Sequence, residues 1–234
     1  MSRPLTAEDR LAALKGSAWF AGLAAPLQAW IAENARPRTA AAGTRLFARG
    51  DAADGLYFVM SGAIRMTTST ADGRQALLAI AEAPQWFGDI ALFDGLPRTH
   101  DAWVESDVLL LHIPQQDVAR FLAQHPAYWK AFGLLLTQKL RLAFGAIEGA
   151  VLLPVAARLA GRLLAIAGGY GERSGGSKRV IAVQQEQLGL MLSVSRQTVN
   201  QILKDFETQG LLHRARGAIE LLDLDRLRAV AAGN

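Results

Sequence analysis

The sequence predicts an α+β chain in which a β-rich N-terminal half, one long helix and a mainly helical C-terminal half follow in that order. Three observations carry this. Between residues 44 and 113, the short apolar runs RLFA, LYFVM, AIRMTT, ALLAIA, AWVES and VLLLHI are separated by glycine-bearing breaks. A seam of Leu136, Leu140, Ala143, Ile147 and Ala150, spaced 4, 3, 4, 3, marks one face of a helix. Two short amphipathic helices and a hairpin close the chain.

The length of 234 residues suits two ordinary domains, at roughly 100–200 residues each. With 51% hydrophobic and 20% charged residues, the chain can bury a core, which excludes disorder over most of it. It has no cysteine. A disulfide framework, a Cys-ligated zinc, an iron–sulfur cluster and a Cys nucleophile are therefore excluded. The start MSRPLTAEDRLAALKG has no signal-like apolar run, and no stretch reaches the roughly 18 apolar residues of a membrane span. A cytoplasmic protein without a membrane partner is expected. The net charge of +4 is unevenly placed: residues 1–153 hold 14 basic and 14 acidic groups, residues 154–234 hold 11 and 7. Only the second part is expected to meet a polyanion.

The first forty residues read helical through Trp19, Phe20, Leu23, Leu27, Trp30 and Ile31, and Pro37 ends that pattern. The strand-like runs follow, broken at Gly50-Asp51, Ser61-Gly62, Asp72-Gly73, Gly88-Asp89 and Asp94-Gly95, as in an all-β barrel or sandwich. Asp72-Gly73 signals a hairpin. These elements give a first domain over 1–125.

A long helix is predicted over 126–153. At about 25 residues it would run ~37 Å, longer than a small barrel. Pairing with its copy in a homodimer explains that length. Leu134, Leu135 and Val151 widen the apolar face, so burial within one chain is the alternative. Pro154 restarts the chain into a domain over 154–234. It begins with a helix over 155–167, followed by the loop GGYGERSGGSKR and a short strand over 180–183.

Residues 184–192 form a short helix with Leu188 and Leu192 inside, and Ser193-Val194-Ser195 forms a turn in which Ser195 is a natural N-cap. The next helix, from Arg196 to about Gln209, buries Val199, Ile202, Leu203 and Phe206. It exposes Arg196, Gln197, Asn200 and Gln201, with Lys204 one turn on. Arg can bond guanine bidentately, and Gln and Asn can do so with adenine; Thr198 and Lys204 suit phosphate. Strands over 211–214 and 218–222 make a wing carrying Arg214 and Arg216. This is a helix-turn-helix for double-stranded DNA. A scaffold used for protein contacts is the alternative.

The segment QQEQLGLMLSVSRQTVNQILKDFETQGLL, with its Ser195-Arg196-Gln197-Thr198-Val199 core, resembles the winged helix of the Crp/Fnr family of bacterial transcription regulators. The resemblance covers about residues 17–226. It implies a β-roll sensor domain of jelly-roll-like type, a dimerisation helix and a winged helix-turn-helix. It maps base-reading positions onto Arg196, Gln197 and Gln201. The middle one is Glu in the family's best-known member.

A second motif, FGDIALFDGLPRTHDAWV, spans residues 87–104. Gly88 to Ala91, through Asp89 and Ile90, can turn into a short helical segment whose N–H groups favour an anion. Arg98 can fork onto two phosphate oxygens, and Thr99 adds a hydroxyl donor. Asp89 accepts only, which suits a sugar hydroxyl. The motif resembles the phosphate-binding cassette of cyclic-nucleotide-binding domains, with Asp89 where Glu is usual and Thr99-His100-Asp101 two residues longer. The resemblance implies a cyclic nucleotide, cyclic AMP or cyclic GMP, as effector. Met66, Leu78 and Phe144 are candidate base-side contacts. Ala143 and Phe144 replace the Thr-Ser pair that reaches adenine in cyclic-AMP-responsive members. In the alternative, Arg98 pairs internally with Asp89 or Asp101 and the barrel is structural.

His100, His112, His125 and His213 are scattered singly, no acidic or histidine cluster has metal-ligand spacing, and no nucleophile–base pair stands out. Neither a metal nor catalysis is expected. Gly168-Gly169-x-Gly171 follows a helix, so it is no dinucleotide fingerprint. The resulting expectation is a homodimeric DNA-binding regulator on a pseudo-palindromic operator, with RNA polymerase as a further partner. The alternatives are a ligand-independent regulator and a nucleotide-binding module that does not bind DNA.

Overall fold

The computed structural model describes residues 6–233; the outermost residues of the two expected domains, 1–5 and 234, lie outside that range. The described chain forms two compact units. The first holds the residues up to Thr68, Ala79–Lys139 and Gly171–Gly175; the second holds Ser69–Leu78, Leu140–Tyr170 and Gly176 onward. No helix among the described residues is long and apolar enough to cross a membrane.

In the first unit, Thr6 and Asp9 form a capping box that starts α1 (Ala7–Lys15). Ser17 caps α2 (Ala18–Ala21), and Pro26 lies in the first turn of α3 (Ala25–Asn34), where its missing N–H costs nothing. The helical pattern ends before Pro37. The chain then runs straight into β1 (Arg36–Ala40), a strand without a sequence signal because four of its five residues are exposed and it carries two arginines.

The roll continues with β2 (Arg45–Phe47), β3 (Gly55–Ser69), β4 (Gln75–Glu82), β5 (Gln85–Phe87) and β6 (Asp101–Pro114). Its path is β1-β6-β3-β4, with β2 on β6 and β5 on β3. Two expected breaks are absent. LYFVM and AIRMTT are one strand, β3, and AWVES and VLLLHI are one strand, β6. Ser61-Gly62 makes a bulge rather than a turn: the β3–β6 register shifts on both sides of Ser61 while pairing continues. Asp72-Gly73 does turn the β3–β4 hairpin, closed by Thr70 N–H to Arg74 C=O at 2.9 Å.

Alternation along β3 serves two cores. Leu56 and Phe58 pack with the helical residues Leu14, Phe20, Leu27 and Ile31, while Tyr57, Val59 and Ile64 pack inside the roll with Phe47, Phe87 and Val104. Of the apolar residues expected in the first helices, Trp19, Phe20, Leu27 and Ile31 are buried, and Leu23 and Trp30 are half-buried against them. Between β5 and β6 lies α4 (Ala91–Asp94), and after β6 come α5 (Gln115–Gln124), a 3-10 turn at Pro126–Tyr128 and the long helix α6 (Trp129–Leu152).

The second unit contains α7 (Val155–Ala167), β7 (Val180–Ile181), α8 (Gln185–Leu192), α9 (Arg196–Thr208), β8 (Leu212–Ala215), β9 (Ala218–Leu221) and α10 (Leu224–Ala231). The strands order β7-β9-β8. Leu159, Leu163, Leu188, Val199, Leu203 and Phe206 are buried, as the helical spacing implies, while Ile202 is half-buried. Asp223 caps α10, which packs Leu227 inward. The architecture is the expected one: β-roll, long helix and winged helix-turn-helix.

Candidate ligand pocket and nucleic-acid interface

The turn after β5 depends on Gly88. Its φ is +90°, and a Cβ there would stand 2.8 Å from Gly55 O and 2.9 Å from Arg98 Nη1. Glycine permits both the left-handed backbone and the close approach of the arginine. α4 then begins, with Ala91 buried and Ile90 partly exposed at 40%.

Arg98 is 5% exposed. Its guanidinium lies 4.3 Å from the centre of the Phe47 ring. Nη1 donates to Gly88 O at 3.1 Å, and Nη2 donates to Gly55 O at 2.8 Å and to Asp54 Oδ1 at 2.6 Å. The internal pairing contemplated for Arg98 is therefore real, but its partner is Asp54 rather than Asp89 or Asp101. Asp101 instead accepts from Arg49 N–H at 2.8 Å. Asp54 is a hub. The Tyr57 hydroxyl donates to its Oδ2, Arg38 stands 3.7 Å away and donates to Tyr57 at 2.9 Å, and His112 Nε2 lies 3.8 Å from Oδ2. Burial pushes the Asp54 carboxyl up, but the hydrogen bonds from Tyr57 and Arg98 outweigh it and hold the group below its ordinary value. Burial, reinforced by the bond to Asp54, pushes the Tyr57 phenol up, so it stays protonated as the donor.

Asp89 is 3% exposed. Its Oδ1 accepts from Lys139 Nζ on α6 at 2.5 Å, and the same ammonium donates to Trp86 O at 2.8 Å. Lys139 therefore joins the long helix to the turn. Asp89 Oδ2, Arg98 Nε and His100 Nε2 are buried without a hydrogen-bond partner among the described residues. Thr99 is exposed, and its hydroxyl meets His100 Nδ1 at 2.9 Å. Burial, followed by the Arg98 charge, lowers the His100 pKa and favours the neutral ring. Lys139, Asp54 and His100 join the candidate site through these contacts and are not among the site residues the sequence predicts. His100 had a signal in the two-residue extension; Lys139 and Asp54 had none, because each joins the site only through the fold.

The candidate base-side residues are more dispersed in character. Met66 is half-buried against the roll core, Leu78 is 44% exposed and Phe144 is 63% exposed. On α6, Leu140, Ala143, Ile147 and Ala150 are exposed, and Leu136 is half-buried. With Phe144 at 63% exposed, Ile147 at 61% and Val151 at 77%, they leave a long apolar face of α6 uncovered.

In the second unit, Ser193 ends α8 in the left-handed conformation at φ 55°, and Ser195 caps α9 by accepting from Thr198 N–H at 3.0 Å. The turn is tight. A Cβ on Gly189 would stand 2.8 Å from Val194 O. Arg196, Gln197, Thr198, Gln201 and Lys204 are exposed along the start of α9. Asn200 faces the wing instead and accepts from Arg214 Nη1 at 2.9 Å. Arg214 is also held by Glu207, at 2.7 Å from its N–H and 2.8 Å from its Nε. Arg216 stands exposed at the wing tip. A cleft of about 450 Å³ between the start of α9 and the wing is lined by Gln184, Gln185, Arg196, Arg214 and Arg216 among others. The face exposes cations and amides side by side.

Residues 37–125 match the family model of the cyclic nucleotide-binding domain, and residues 157–230 match that of the Crp-like helix-turn-helix domain. A CRP-like cAMP-activated global transcriptional regulator of Mycobacterium tuberculosis is 28% identical over 209 residues, covering 89% of this chain and 93% of that protein. The cyclic AMP receptor protein of Thermus thermophilus is 24% identical over 220 residues, covering 94% and 99%. The structure of FixK2 from Bradyrhizobium japonicum superposes with a TM-score of 0.73 at 19% identity, over 84% of this chain and 96% of that one.

Proposed function

Because the chain belongs to the Crp/Fnr family of bacterial transcription regulators, we propose that it acts in the cytoplasm as a homodimer whose DNA binding is set by a cyclic nucleotide held in the β-roll. The observation that carries the effector is the set of buried, unpaired polar atoms at the turn: Asp89 Oδ2, Arg98 Nε and His100 Nε2. Buried polar atoms normally find partners, and an orphan costs about 1–3 kcal/mol. A cyclic nucleotide supplies what they lack. Its phosphate oxygens would accept from Arg98, and its sugar hydroxyl would donate to Asp89.

The apolar face of α6 supports pairing of two chains through Leu136, Leu140, Ala143, Ile147 and Ala150. In the dimer the two α9 helices would enter successive major grooves of a pseudo-palindromic site, with half-sites ~34 Å apart or a multiple of that. Arg196, Gln197 and Gln201 would read bases, while Thr198, Lys204 and Arg216 would meet phosphates. RNA polymerase is the further partner this reading names. A ligand that binds one dimer geometry more tightly shifts the population toward it.

The Asp54–Arg98 pair favours a second reading, a regulator that needs no ligand because Asp54 already occupies the arginine. One experiment separates the two: selection of bound DNA with and without cyclic AMP or cyclic GMP, with calorimetry of each nucleotide on the full chain. Heat together with nucleotide-dependent selection supports the effector. Selection of the same sites without heat supports the second reading. No selected sequence under any condition overturns both.

A further inference from the structure

The loop GGYGERSGGSKR is not a free linker. Its residues Gly171–Gly175 belong to the first unit, although the chain on either side belongs to the second. The segment is docked by main-chain bonds: Ala18 N–H to Glu172 O at 2.7 Å and Ser174 N–H to Gly16 O at 3.0 Å. The Ser174 hydroxyl donates to Gly16 O at 2.9 Å, and Arg173 donates to Ala83 O. Glu172 anchors this strap at 1% exposed. Its Oε2 accepts from Trp86 N–H at 2.8 Å, two residues before the Gly88 turn. Its Oε1 is buried without a hydrogen bond among the described residues and stands 3.8 Å from Lys139 Nζ. That ammonium is the one bonded to Asp89.

One cation therefore serves two buried carboxylates, and it is bonded to only one of them. We propose that Glu172 is a positioning residue of the ligand pocket, sharing Lys139 with Asp89, so that a ligand hydroxyl on Asp89 releases Lys139 toward Glu172 and seats the strap more firmly. The coupling rests on the effector reading above; the seating of the strap does not. By linkage, what the ligand does to the strap the strap does to the ligand.

The charged groups facing Glu172 are Lys139 from α6 and Asp89 from the turn, while Arg173 beside it lies near Glu82 of β4. Burial pushes the Glu172 carboxyl up to about 7 from an ordinary 4.5, against the pull of Lys139. The docked strap thus holds its proton more tightly than the undocked one. Docking is strongest at low pH and weakens as pH rises between those two values, then levels off.

The test is amide hydrogen exchange at Ala18, Trp86 and Ser174 in the full chain, corrected for intrinsic rates, from pH 5 to 8. Wild-type protection should fall by up to about tenfold per pH unit toward pH 7 and then level off. Glu172→Gln keeps an acceptor for Trp86 but no charge, so its profile should be flat. Ser174→Ala should lower protection by a constant factor and keep the slope, which guards against a Glu172→Gln chain that fails to fold. A flat wild-type profile, or the wild-type slope in Glu172→Gln, overturns the role of Glu172. Saturating cyclic AMP or cyclic GMP should raise wild-type protection at pH 7 severalfold and leave Glu172→Gln unchanged; an equal rise in both, or a fall, overturns the coupling. If neither nucleotide binds wild type in calorimetry, the effector reading fails and the coupling with it, while the pH slope still decides whether Glu172 governs the strap.

Discussion

Asp54 Oδ1 lies 2.6 Å from Nη2 of Arg98, so the arginine expected to meet a phosphate already has an anionic partner inside the fold. Any anionic ligand must share Arg98 with this carboxylate. Replacing Asp54 by Asn should therefore raise cyclic-nucleotide affinity about tenfold, or ~1.4 kcal/mol. It should also cost the fold ~1–2 kcal/mol, discounted because Asp54 is half-exposed. Calorimetry and denaturant unfolding of the two chains measure these. Unchanged affinity would show that Asp54 does not compete.

The same carboxyl shapes the acid side of stability. Asp54 is held below its ordinary value of 3.8, so the fold favours its ionised form. That contribution is complete above about pH 4 and disappears as pH falls through the folded-state value. Acid unfolding curves of wild type and Asp54→Asn should be separated at neutral pH and converge toward pH 2. A constant gap across that range would exclude ionisation as its source.

The exposed arginines of the second unit should behave differently from one another. Arg196→Ala should cost about 1–3 kcal/mol on the selected operator and relax specificity at one base position. Arg216→Ala should weaken binding to all sequences and reduce the salt slope by about 1. Binding isotherms at several salt concentrations, on operator and scrambled DNA, separate the two. Matching profiles would refute the division between base reading and phosphate contact.

Ser193 holds a left-handed conformation at φ 55° between α8 and α9. Left-handed backbone costs a non-glycine residue ~1–2 kcal/mol, partly offset in glycine by its freer unfolded chain. Ser193→Gly should therefore raise unfolding stability by about 0.5–1 kcal/mol and leave DNA affinity unchanged. A loss of stability would mean that the serine side chain holds the turn.

What the sequence made legible was whatever has a local signature. The α9 stripe of Val199, Leu203 and Phe206 and the Ser195 cap rest on neighbours within a few residues, and the Gly88 turn shows in the sequence as a glycine although the atoms that crowd it, Gly55 O and Arg98 Nη1, come from farther along the chain. Ser61-Gly62 misled because a bulge and a turn share the same residues, and only pairing across to β6 distinguishes them. β1 was silent because an exposed strand beginning Arg36-Pro37-Arg38 has no apolar alternation. Asp54, Lys139 and Glu172 were invisible as site residues for one common reason. Each reaches the pocket from a distant stretch of chain, and a lone charge in a sequence does not say which other charge it will face.

Leu56 and Phe58 belong to one core and Tyr57 and Val59 to another, so β3 acts as a shared wall between them. A wall of this kind makes the chain intolerant of frame errors. Deleting Phe58 would put the two parts of β3 out of phase, so that on one side of the gap side chains of one core would face the other. Length drift in this family member should therefore collect in its loops, while β3 keeps its residue count even where its residue types change.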